Sequence, residues 1–127
     1  MKAPDTVCGR WICRFACAGR GLRHVLTHEA SGRVHTVALV AVAALGGWLG
    51  LTPLEWAVLA LAAGAVIAAE ALNTAVERLA DRVSLEREES IRLIKDVAAG
   101  GVLAATIGAV TAGLAIVGPK LWAVMFG

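Results

Sequence analysis

Glu70, Asn73, Glu77 and Asp81 recur along one short segment. At ~100° per residue they share a single helix face. Glu70 lies inside an otherwise uncharged apolar stretch, Trp56 to Val76, that is long enough to cross a bilayer as a helix. A carboxylate there costs roughly 2.5–3.5 kcal/mol on insertion scales, which asks for a use. Two readings of Glu70 stand side by side: a buried structural acid, or a proton acceptor for chemistry at the membrane. Glu77 and Asp81, taken singly, read as interface acids paired with Arg78 and Arg82. Taken with Asn73, they form a polar stripe that climbs from a buried acid to a surface acid, and a polar residue two turns deep is costly unless something uses it.

Glu70 and Glu77 are two turns apart, ~10 Å along a helix axis. One acid would then serve the membrane plane and the other the water side. Mg²⁺ takes oxygen ligands and often only one or two protein carboxylates, with phosphates and waters completing the shell. Glu77 suits that task, and Glu29, on the same side, is a possible second ligand. Lys95 is a point charge suited to phosphate oxygens. Surface acids, a lysine and a deeper base together point to phosphoryl transfer onto a membrane-embedded alcohol. The chain has no Walker A loop and no kinase glycine loop, which excludes a soluble nucleotide-binding fold.

The elements that must position these residues are legible in the hydropathy. The chain has 127 residues, enough for one domain, and is 58% hydrophobic but only 17% charged. A soluble domain carries about 25% charged residues. The apolar residues form three blocks, giving expected spans at about 34–54, 55–77 and 96–119 within one domain, 1–127. The first block starts too late for a cleaved signal peptide. Net charge is only +2, yet of the 12 cations Lys120 alone lies outside two clusters, residues 2–33 and 78–95. The positive-inside rule puts both clusters in the cytoplasm, with Trp48, Trp56 and Trp122 near the outer interface and Trp11 near the inner one. The expected location is the inner (cytoplasmic) membrane, multi-pass, with a cytoplasmic N-terminus. The cations serve topology, and no nucleic-acid motif accompanies them.

From Arg10 to about His28, apolar and basic residues mix as in an amphipathic helix on the inner surface, with Gly19 and Gly21 as possible breaks. Pro53 is placed to open the second span after a short turn, so spans one and two should be antiparallel neighbours. Residues 82–94 read as a polar connection, and Asp96 as a carboxylate at the start of the third span, favoured by the helix dipole. Small residues crowd that span and invite self-association. Cys8, Cys13 and Cys17 face a reducing compartment and read as small apolar residues; no histidine pair completes a zinc site with Cys13 and Cys17.

Two long motifs, Glu70-Ala-Leu-Asn-Thr-Ala-Val-Glu-Arg-Leu-Ala-Asp81 and Ile94-Lys-Asp-Val-Ala-Ala-Gly100, resemble those of the prokaryotic diacylglycerol kinase and undecaprenol kinase family. The resemblance covers about residues 10–119. Leu54 to Ala57, the Leu72 to Ala75 portion, Lys95 to Gly100 and Arg33-Val34-His35 resemble the undecaprenol kinase branch. The resemblance implies an all-α membrane protein, a homotrimer of protomers with a surface helix and three spans, and sites between protomers. It implies an ATP- and Mg²⁺-dependent kinase acting on a lipid alcohol, undecaprenol first and diacylglycerol as the alternative. Glu70 would then be the general base and Asn73 an active-site amide near the transferred group. Glu29 and Glu77 would hold the divalent ion on the ATP phosphates. Lys95 would contact phosphate, Asp96 would belong to the nucleotide site, and Glu86 would lie where the polar loop approaches the nucleotide. Arg10 and Trp48 fall at positions associated with lipid contact. The chain departs from the branch pattern at Ser31, where asparagine is usual, and in the 85–89 loop, which lacks the usual aromatic and histidine. Cys17 stands where the diacylglycerol branch commonly has an aromatic.

Two other classes compete. A small proton-coupled exporter also uses a membrane glutamate, but four spans are usual and nothing in it needs acids continuing to Asp81 and Lys95-Asp96. A structural membrane oligomer would explain the small residues of span three but not Glu70 with Asn73.

Overall fold

The computed structural model describes residues 7–83 and 88–127. These form α1 (Val7–His28), α2 (Ala30–Leu49), α3 (Pro53–Val83) and α4 (Glu89–Phe126), with no strand among the described residues. The last three are long and apolar enough to cross a membrane. Their 20, 31 and 38 residues correspond to ~30, ~46 and ~57 Å of helix, so α3 and α4 outrun a ~30 Å hydrocarbon core. The interior is slight: among the described residues Val25, Leu51, Leu59, Val66 and Ala80 are the buried apolar side chains, and α4 buries none of its own within the protomer. Large apolar residues such as Val37, Leu61, Leu103 and Leu114 face outward. In water such a surface would aggregate; in lipid it is solvated.

α1 runs unbroken through Gly19 and Gly21, neither of which has positive φ. The break expected there does not occur, because a glycine in a helix costs only roughly 0.5–1 kcal/mol and packing of α1 on α2 holds the far end. Glu29 alone, in extended conformation, turns the chain from α1 into α2. The crossing is close because residue 32 is glycine: a Cβ there would collide with the carbonyl oxygen of Val25. Gly32→Ala should therefore push α1 off α2. The expected loss is ~1–3 kcal/mol, at the scale of overpacking, seen as a lowered melting temperature in detergent. An unchanged melting temperature would mean the two helices are not in contact.

The α2–α3 turn is fixed by local chemistry. Gly50 adopts φ +63°, a conformation favouring glycine, and the Leu51 N–H bonds back to the Gly46 carbonyl at 3.2 Å. Thr52 and Glu55 then cap α3 reciprocally: the Thr52 N–H donates to Glu55 Oε2 at 2.7 Å, and the Glu55 N–H to Thr52 Oγ1 at 3.3 Å. Pro53 is the first residue of α3, as expected.

α3 and α4 pack along their lengths as an antiparallel pair. Ion pairs clasp both ends: Lys120 to Glu55 at 3.3 Å and Lys95 to Asp81 at 2.5 Å. Trp48 and Trp56 flank the α2–α3 turn, and Trp122 follows Lys120, so all three mark the end of the bundle away from Asp81.

Two local expectations are corrected. Asp96 does not open a helix: α4 begins at Glu89, and Asp96 is exposed two turns in, too far to meet the helix dipole's open end. The residues from 89 to 94 are thus helix rather than connection; good helix formers such as Glu89, Arg92 and Leu93 extend α4 beyond the apolar block. At the other end, α4 continues through Pro119 to Phe126. Membrane helices tolerate proline in this way.

Candidate active site

α3 carries the acids and α2 meets them. Glu70 is 5% exposed. Both of its oxygens meet consecutive turns of α2: Ser31 Oγ donates to Oε2 at 2.9 Å, and His35 Nε2 lies 3.0 Å from Oε1. Residues 31 and 35 stand i, i+4 on one face, so a single face of α2 holds the carboxylate at both atoms. Two donors on a buried carboxylate satisfy it without solvent.

One turn on, Asn73 Nδ2 donates to Glu77 Oε1 at 3.1 Å. The other amide atom, Oδ1, is buried with no hydrogen-bond partner among the described residues. A buried orphan acceptor is uncommon and calls for an explanation. Glu77 itself is exposed. Arg78, next on α3, reaches α1 and the α1–α2 junction. It donates to Glu29 Oε1 at 2.8 Å and lies 2.6 Å from His24 Nε2. A guanidinium only donates, so His24 accepts at Nε2. His24 also stacks on His28, ring centroids 4.8 Å apart. Glu29 thus stands at the same end of the molecule as Glu77, with its recorded contacts all on Oε1.

Lys95 of α4 is engaged with Asp81 across the α3–α4 pair. Asp96, the next residue, is exposed and has no hydrogen-bond or ion-pair partner for its side chain among the described residues. Glu86 lies outside the described residues. Arg10 is exposed near the start of α1. Trp48 is exposed and ~20 Å along α2 from His35 at 1.5 Å per residue, at the far end of the bundle. The structure therefore gathers Glu70, Asn73, Glu77 and Glu29 near one end, sets Lys95 on the adjoining helix, and leaves Arg10 and Trp48 apart.

Ser31, His35, His24 and Arg78 are the contacts that sequence alone did not assign to the site. The i, i+4 spacing of Ser31 and His35 near the start of an apolar helix was the available signal. Cys13 and Cys17 are free thiols, and Cys17 Sγ accepts from Arg20 at 3.1 Å.

An apolar cavity of about 490 Å³ lies between α2, α3 and α4. Leu39, Val42, Leu59, Val66 and Val110 are among its walls, and His35 is its only titratable lining residue among those described. A volume of that size holds a good part of a drug-sized molecule or a lipid chain.

No cluster of three or more His, Cys, Asp or Glu side chains suited to a metal occurs among the described residues. Phosphate-bound Mg²⁺ needs fewer, and the donors here fit it: an exposed carboxylate at Glu77, the orphan Asn73 Oδ1 beside it, and Glu29 on the same side.

Comparison with known proteins gives a consistent result. The family model described as prokaryotic diacylglycerol kinase matches residues 16–117. The chain is similar to an undecaprenol kinase of Bacillus subtilis, at 32% identity over 88% of this chain and 91% of that protein. It is 37% identical to a diacylglycerol kinase of Synechocystis over 90% of this chain and 66% of that protein. It is 32% identical to a diacylglycerol kinase of Escherichia coli K12 over 72% of this chain and 75% of that protein. No solved structure matches the chain. A family match across most of the chain, on a helical fold with three apolar spans, leaves one assignment: the chain belongs to the prokaryotic diacylglycerol kinase family of membrane lipid kinases.

Proposed function

We propose that this protein transfers the γ-phosphoryl group of ATP, with Mg²⁺, to the hydroxyl of a membrane lipid alcohol, undecaprenol foremost. The observation that carries the reading is the α3 face itself: Glu70 buried beside the apolar spans, with Asn73 and Glu77 following toward the surface. An alcohol is a poor nucleophile until its proton begins to leave, and Glu70 supplies the base. Glu77 and Glu29 would hold the divalent ion, with Asn73 Oδ1 as a neighbouring oxygen. Bound there, Mg²⁺ would neutralise charge on the phosphates. Lys95 would turn from Asp81 to a phosphate oxygen, and Arg78 keeps Glu29 placed until the nucleotide arrives. Asp96 and Glu86 fall on the nucleotide side; Arg10 and Trp48 would touch lipid at the two interfaces.

Undecaprenol is favoured over diacylglycerol because the match to the Bacillus undecaprenol kinase spans nearly the full length of both chains. Presenting each lipid in the same bilayer to the purified protein tests the choice. A higher kcat/KM for undecaprenol is expected; a higher value for diacylglycerol would transfer the reading to that acceptor.

The protein is further read as a homotrimer in the cytoplasmic membrane. Gly100, Gly101 and Gly108 of α4 face open space, which supports close approach by another copy. α1 exposes Trp11, Ile12 and Phe15 beside Arg10 and Arg14, as suits a helix lying on the inner surface. The single domain, 1–127, would keep spans near 34–54, 55–77 and 96–119 within the longer helices. A cysteine introduced at Ser90 should then react with an impermeant thiol reagent only after the inner face is opened. Labelling from outside intact cells would reverse the topology.

A further inference from the structure

Arg78 stands beside the proposed metal ligands with most of its hydrogen-bonding capacity unused. It follows Glu77 on α3, and its side chain is 59% exposed. Both of its recorded bonds leave from one nitrogen: Nη2 lies 2.8 Å from Glu29 Oε1 and 2.6 Å from His24 Nε2. That nitrogen carries two hydrogens, so each has its acceptor. The N–H groups of Nη1 and Nε have no acceptor among the described residues.

The surroundings favour an anion. α1 contains Arg10, Arg14, Arg20 and Arg23 and no carboxylate. Arg82 follows Arg78 one turn later on α3, exposed and without a partner among the described residues. Like charges at i, i+4 on a helix repel, and Asp81, which could offset them, is engaged with Lys95.

We propose that Arg78 binds the terminal phosphates of the nucleotide, with His24 as the acceptor that keeps it in place. This rests on the reading of Glu29 and Glu77 as ligands of a phosphate-bound ion. When Glu29 turns to the ion, Arg78 loses one acceptor and keeps the other. His24 is itself steadied: its ring stacks on His28, and His28 Nδ1 lies 2.7 Å from Thr27 Oγ1. The guanidinium therefore stays beside the two carboxylates while its remaining donors meet phosphate oxygens. Its planar fork suits that task, and such charge-assisted bonds are roughly twice as strong as neutral ones. Lys95 would approach the same phosphates from α4, so the two cations come from different helices. A lipid headgroup at this surface offers the same phosphate chemistry, and the test separates the two sources.

The test measures equilibrium binding of an ATP analogue with a methylene β–γ bridge, which cannot transfer its γ-phosphate. The purified full-length protein is held in phosphatidylcholine vesicles with Mg²⁺, so no net headgroup charge competes. Arg78→Gln should weaken binding about 10-fold or more, the scale of a hydrogen bond to a charged group. Arg78→Lys, which keeps the charge without the fork, should recover part of that loss. The same weakening should appear when Arg78→Gln is added to Glu29→Gln, because the contact runs to phosphate and not through Glu29. No further loss in that double variant would overturn the proposal and make Arg78 a prop for Glu29. Arg82→Gln removes an equal charge one turn away and should cost about 2-fold or less at physiological salt, where exposed charges are screened. An equal loss there would show a bulk charge effect and also overturn the proposal. So would an Arg78→Gln effect that appears only when anionic phosphatidylglycerol is added, since the arginine would then serve a headgroup. Wild-type protein that binds none of the analogue would instead remove the nucleotide reading itself, and this proposal with it.

Discussion

Glu70→Gln is expected to lower lipid phosphorylation by about 10²–10⁴, the usual worth of a positioned base, while the protein still folds, assembles and binds ATP. The amide keeps the size of the side chain and can still accept one hydrogen bond from Ser31 or His35. What it loses is negative charge beside the imidazole. The new NH₂ group can be met only by turning the Ser31 hydroxyl or switching the His35 tautomer, a rearrangement costing at most about 1–3 kcal/mol, so the melting temperature should drop modestly and the KM for ATP should hold. This split separates chemistry from structure. A variant with reduced melting temperature and undiminished turnover would return Glu70 to the role of a buried structural acid.

Glu77→Gln should act at the other end of the same helix face. It exchanges an exposed carboxylate for a neutral amide while leaving Asn73 a partner at Oε1. If Glu77 holds the ion on the ATP phosphates, the Mg²⁺ concentration needed for half-maximal rate should rise about 10-fold or more, the scale seen when even outer partners of a metal are removed. Maximal turnover should fall as well, because the ion neutralises charge in the transition state. Glu29→Gln should show the same direction, and in addition removes the charge that faces Arg78. Unchanged Mg²⁺ titrations in both variants would take these acids out of the metal site and leave the orphan Asn73 Oδ1 without its explanation.

The sequence revealed those parts of the fold that depend on the solvent each residue requires. Uncharged blocks announced three apolar helices, and the period of Glu70, Asn73 and Glu77 announced one face. Pro53 announced the start of α3, and Thr52 and Glu55, three apart, carry the capping signal as well. Helix ends were less legible, because hydropathy reports where lipid stops and not where hydrogen bonding stops. For that reason α4 runs past Pro119 and begins before Asp96. The short turn announced α2 and α3 as neighbours, but the side-chain contacts between α1, α2 and α3 were not legible. The approach of Gly32 to Val25, the reach of Arg78 to Glu29, and the hold of Ser31 and His35 on Glu70 depend on crossing angles that no local pattern encodes.

The central claim is that the acid face of α3 serves phosphoryl transfer to lipid rather than ion coupling or architecture. Purified protein in vesicles containing undecaprenol, given ATP labelled on the γ-phosphate and Mg²⁺, tests it most directly. The label should move into the organic phase as a lipid monophosphate, stoichiometric with ADP formed, and should stay in the aqueous phase when Mg²⁺ is chelated. Label that remains in water with undecaprenol, and equally with diacylglycerol, would contradict the account.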